Sequence, residues 1–187
     1  VPHRTVQHDE VETVKVPDRL RDLCEAYDQT REDMVPGTAR TRKMTAIFEE
    51  MKTQAPLAQA SLREFKVHES AGFRLAAIAI LQVFPSKDDL KWLAKCLDPN
   101  VEKPFVGYHA AVALAQAVRS LSMSDCSLLH SEVARALALA KLNPDDPPRI
   151  QTLEYALKEL AVKCSTKKGQ RDGDPDHLSN RRRIAER

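Results

Sequence analysis

A chain of 187 residues that is 42% hydrophobic and 30% charged is long enough to bury a core and too apolar to stay unfolded. Aromatics at 5% and only five glycines, beside abundant alanine and leucine, exclude a strand-rich composition and favour helices. A formal net charge of +2 is too small to argue for a nucleic-acid partner by itself.

Residues 1–16 read as a polar lead-in without a period, beginning "VPHRTVQHDE" with no apolar stretch of the signal-peptide kind. The absence of an initial methionine suggests a processed product or a piece of a longer protein. Pro17 suits the first turn of a helix, and Leu20, Leu23 and Tyr27 follow at helical spacing. The turn "VPGT" (35–38) precedes a second helix, with Thr38 as its expected N-cap and Met44, Ile47, Phe48 and Met51 as its apolar stripe. Pro56 marks the next expected boundary, and a short third helix carries Leu57, Leu62 and Phe65.

Ser70 is placed to cap a fourth helix, "FRLAAIAILQVF", which is apolar on nearly every side and therefore central. "SKDD" (86–89) has the form of a capping box with Asp as its last residue, and the fifth helix carries Leu90, Leu93 and Leu97. Pro104 opens helix six. Helix seven is expected over about 124–142, and "NPDDPP" (143–148) breaks the chain before helix eight at about 149–163. From 164 to 187 the sequence turns polar and basic and reads as a flexible tail, which leaves 17–163 as the folded domain. No run is as long and apolar as a membrane span.

"LAAIAILQ" (75–82) lies over "HAAVALAQ" (109–116) at an offset of 34 residues. Each segment opens an apolar helix that is followed by a more amphipathic one, the mark of stacked helical hairpins. The Trp, Gly and Tyr positions of tetratricopeptide repeats are missing, so the expected fold is all-α, a HEAT-like stack of about eight helices. The stretch "EKPFVGYHAAVALAQAV" (102–118) can be read as the lining of a pocket or as a seam between helices. Its small residues favour the seam, with Gly107, Tyr108, Ala110 and Ala111 as the packing positions and a pocket around His109 as the rival.

Candidate chemistry is sparse. His68 and Glu69 are neighbours and suit a cap or a surface pair. Cys126 and His130 share a helix face at four residues' spacing, but no third ligand lies near them in sequence. The four cysteines (24, 96, 126 and 164) have no zinc-type spacing and read as reduced thiols in a cytoplasmic protein. Neither a phosphate loop nor a hydrolase motif is present, so the expectation is a non-enzyme without cofactor or metal. Basic groups fall in "RTRK" (40–43) and "RRR" (181–183). Trp92, set beside an apolar stripe and flanked by Lys91 and Lys95, is either core or an exposed anchor for a protein partner. With Arg40, Arg42 and Lys43 it makes the candidate interaction surface.

"MVPGTARTRKMTAIFEEMKTQA", "ESAGFRLAAIAILQVFP" and "WLAKCLDPNVEKPFVGYHAAVALAQAVR" together resemble an all-helical accessory module attached to effector or sensor domains in bacterial multidomain signalling and defence proteins. The resemblance covers about residues 34–119. It implies an adaptor within a larger protein and carries no catalytic residue across. The alternative is a nucleic-acid-binding helical repeat that uses residues 40–43 and 181–183.

Overall fold

Leu75 to Leu81 is buried at every position, and so are most residues from Val106 to Val118. Helices with no polar side have to lie inside, and the rest of the chain is arranged around these two. A computed structural model describes residues 17–171, with side chains to residue 165. The expected lead-in (1–16) and the "RRR" segment lie outside the described residues. The helices are α1 (Asp18–Asp33), α2 (Thr38–Ala58), α3 (Leu62–Val67), α4 (Ala71–Val83), α5 (Leu90–Lys95), α6 (Pro104–Ser120), α7 (Cys126–Ala140) and α8 (Pro147–Arg171).

The even-numbered helices form one layer in chain order, α2 on α4, α4 on α6 and α6 on α8. The odd-numbered helices cover it, with α1 on α2 and α4, α3 on α4, α5 on α6 and α7, and α7 on α8. This is the all-α stack of helical hairpins that the repeat implied. No helix among the described residues is long and apolar enough to cross a membrane.

Two glycines set the spacing of the layers. A Cβ on Gly72 would stand 2.2 Å from the carbonyl oxygen of Cys24, so α1 reaches the first turn of α4 only because no side chain intervenes. Asp28, one turn further along α1, accepts hydrogen bonds from the Ser70 hydroxyl and, at 3.1 Å, from the Gly72 N–H. At Gly107 an added Cβ would come 2.9 Å from Nη1 of Arg149 and 3.2 Å from the carbonyl of Cys96. The loop before α6 is held by Glu102, whose side chain is only 2% exposed. Arg74 answers it with Nε and, at 3.2 Å, Nη2, while its Nη1 donates to the carbonyls of His68 and Glu69 at 2.8 and 2.6 Å. Those bonds to Glu102 hold the guanidinium in its charged form more firmly than usual.

Ser70 caps α4 as expected, accepting from the Phe73 N–H at 3.3 Å. Other expectations are corrected. Thr38 is the first helical residue and Gly37 precedes it, with φ 155° and ψ 179°, a conformation left to glycine. Pro56 lies inside the last turn of α2 on an exposed face, where water can serve the carbonyl that loses its donor. "SKDD" makes no side-chain cap, and Asp89 is instead buried against Lys66. α8 runs from Pro147 through Cys164 to Arg171, past the end expected near 163.

The reading of four reduced thiols is also corrected. Cys126, at the start of α7, is bonded to Cys164 on α8, 38 residues away. Cys24 and Cys96 are free and buried, and burial pushes both thiols up to about 12. The reducing compartment inferred from four free thiols loses that basis.

Gly72→Ala should destabilise the fold by at least about 2 kcal/mol through overpacking. Urea unfolding measures this, and a midpoint equal to wild type would contradict the close approach of α1 to α4. Reduction should lower stability by about 2–4 kcal/mol, while a Cys126→Ser/Cys164→Ser double variant should no longer respond to reductant. Alkylation of the native oxidised protein should leave Cys24 and Cys96 unmodified until it is denatured.

Candidate functional site

An open cleft of about 790 Å3 lies where the first turns of α2, α6 and α8 meet the last turns of α1. α2 contributes Arg40, Thr41, Met44, Thr45 and Glu49, and α1 contributes Arg31. Lys103, Pro104, Phe105, Tyr108 and His109 come from the start of α6, with Asp146 and Pro148 from the start of α8. Of the four expected packing positions, three face the packing, but Tyr108 lies at the cleft. Gly107, Ala110 and Ala111 are buried in the packing, while Tyr108, 37% exposed, faces the cleft with Phe105.

The wall is aromatic. His109 lies 3.8 Å from Phe48 between ring centroids, and it meets Phe105 and Tyr108 edge-on at 4.6 and 5.2 Å. Behind Phe105 lies Tyr27, at 5.8 Å. Tyr27 is fully buried, its hydroxyl has no hydrogen-bond partner, and burial pushes the phenol up to about 12. His109 is 7% exposed, and its carbonyl accepts from Gln82 of α4 at 2.9 Å. Burial first, then the nearby charge of Lys52, lowers the imidazole to about 4, so the ring is neutral at physiological pH.

The charges around this wall are unevenly matched. Glu49 pairs with Lys52 at 2.6 Å. Asp146 lies 2.9 Å from Nε of Arg149, an arginine only 1% exposed whose Nη2 has no hydrogen-bond partner. Arg40 donates from Nη1 to the carbonyls of Met34 (3.2 Å) and Arg31 (3.5 Å), closing the end of α1, and its buried Nε is unpartnered. Arg31 lies over the Tyr27 ring at 5.9 Å. Neither Arg31 nor Lys103 forms an ion pair among the described residues. The hydroxyls of Thr41 and Thr45 donate to carbonyls one turn back, which leaves their lone pairs turned to other uses.

The interaction surface expected from the sequence is dispersed. Trp92 is half-buried against the core, and its indole N–H donates to the Lys66 carbonyl at 3.2 Å. Lys91 and Lys95 are exposed on α5, whereas Arg42 and Lys43 are exposed on α2, a helix with different neighbours. Arg40 belongs to the cleft. His68 caps and stacks, with Nδ1 accepting from the Ser70 N–H at 3.1 Å and its ring 4.0 Å from Phe73. Cys126 is taken up by its disulfide to Cys164, and His130 is exposed. Among the described residues no group of three or more His, Cys, Asp or Glu side chains is placed to hold a metal ion.

No protein-family model, curated protein or solved structure matches the chain.

His109 makes stability depend on pH. Its folded value near 4 lies below the ordinary 6.5, so the unfolded chain takes up the proton first as pH falls. The stability present above about pH 6.5 should be lost toward pH 4, by an amount on the order of 3 kcal/mol. Urea midpoints measured across that range should fall more steeply for wild type than for His109→Gln. Parallel slopes would contradict a buried, neutral imidazole.

Proposed function

We propose that this chain is a non-catalytic helical-repeat module that binds a partner protein, and that the partner enters the cleft at the starts of α2, α6 and α8. The observation that carries the reading is the cleft's wall, in which Tyr108 and Phe105 present rings to an open volume of about 790 Å3 on a rigid helical frame. Aromatic side chains held by packing bury a large area on binding at little cost in entropy, the property of interface anchors. His109 is walled in by rings and kept neutral by burial and the charge of Lys52, and no carboxylate hydrogen bond to its ring is present among the described residues; a positioned acid–base pair would need an orienting partner. The resemblance read in residues 34–119 implies an adaptor that serves a larger protein, and no family, curated protein or solved structure bears on it.

The surface around Trp92 is the weaker candidate, because its indole N–H is already engaged and its ring packs against the core. The nucleic-acid alternative draws on residues 40–43 and 181–183: Arg40 donates to carbonyls at the end of α1, Arg42 and Lys43 are exposed on α2 outside the cleft, and 181–183 lie outside the described residues.

Selection of a displayed random peptide library on the folded protein should yield binders whose affinity falls by about 2 kcal/mol in Tyr108→Ala. The circular dichroism and urea midpoint of that variant should stay near wild type, since Tyr108 is exposed. A library that returns no binder, or only binders indifferent to Tyr108, would overturn the reading.

A further inference from the structure

We infer that the cleft selects an acidic segment of its partner, one in which carboxylates flank an aromatic or aliphatic side chain. The inference rests on the protein-binding reading above and adds the chemistry of the ligand.

Charge complementarity carries it. Each acid lining the cleft already has a base beside it, Glu49 with Lys52 and Asp146 with Arg149. Arg31 on α1 and Lys103 before α6 have no acid partner among the described residues. Arg40 satisfies carbonyls through Nη1, which leaves its positive charge uncancelled. The cleft therefore holds surplus cations at its rim around a wall of neutral rings. The backbone adds to the same sign. Residues in or next to the first turns of α2, α6 and α8 line the cleft, which sets it beside three positive helix ends. In α6 the first helical bond is from the Gly107 N–H to the Lys103 carbonyl, and the N–H groups of Phe105 and Val106 lie ahead of it. Proline at position 104, and at 147 and 148, removes donors from these ends. The attraction is thus felt chiefly through side-chain cations and dipole ends, and it suits carboxylates spread along a chain. The rings of Phe105 and Tyr108 would receive the apolar side chain between them.

The test uses labelled synthetic peptides in which one leucine or tryptophan is flanked by glutamates, by glutamines or by lysines, with single-stranded DNA as a polyanion control. Fluorescence anisotropy at low salt should rank the glutamate peptide about tenfold or more above the glutamine peptide, with the difference shrinking as salt is added. Arg31→Glu and Lys103→Glu should each weaken the glutamate peptide by about tenfold, whereas Arg42→Glu, the same charge change outside the cleft, should leave it within about twofold. Equal binding of the glutamine peptide, or equal losses in all three variants, would overturn the acidic ligand. If library-selected binders still depended on Tyr108 in that case, the protein-binding reading would stand alone. DNA binding that matched the glutamate peptide and responded to the same two cleft variants would reassign the site to nucleic acid. A failure of every acidic peptide would overturn the inference outright.

Discussion

A carboxylate buried as deeply as that of Glu102 is tolerable only with a charged partner, and Arg74 is that partner. The pair does more than neutralise a charge. Arg74 also collects the carbonyls of His68 and Glu69, so one side chain joins the turn before α4, the body of α4 and the loop before α6. It fixes where two successive core helices begin relative to each other. Removing Arg74 would leave an unanswered buried carboxylate, which is far more costly than never having had the pair. The positions of Phe105 and Tyr108, and with them the cleft, follow from where α6 starts.

The glycines act on the same junctions. Gly72 lets α1 touch the first turn of α4, and Gly107 lets the Arg149 side chain lie beneath the first turns of α6. Arg149 in turn holds Asp146, which lines the cleft. Packing and site are therefore one construction: small residues on the inner side of α6 permit the close contacts that present its rings outward.

The helical stack was legible because its signals are local. An all-round apolar run such as 75–81 cannot lie at a surface, Ser70 had a helix start to cap, and the alanine-rich match at offset 34 reported two similar packing environments. The cleft was half legible. The ring-rich start of α6 suggested a pocket, but its other walls come from residues 31, 40–49 and 146–148, which only the stacking brings together. Arg149 was invisible for a related reason: an arginine beside two prolines reads as surface until its neighbours are known. Trp92 stood between two readings because its ring packs inward while the lysines beside it face water. The disulfide gave no signal, since α7 and α8 must run side by side before residues 126 and 164 become neighbours.

Stacked hairpins touch only their neighbours, and such arrays tend to unravel from their ends. In this chain the two ends are unequal. The α1 end is held by non-covalent contacts, among them the buried Leu20, Leu23 and Tyr27, the close approach at Gly72 and the hydrogen bonds of Asp28. The α8 end is closed covalently, because Cys126 and Cys164 bind the last two helices near the start of one and well along the other. An intact bridge keeps α7 and α8 tethered to each other even where their other contacts open, and a reductant removes that tether. A pulling force applied through α8 would act on helices joined covalently, whereas one applied through α1 would meet non-covalent contacts alone.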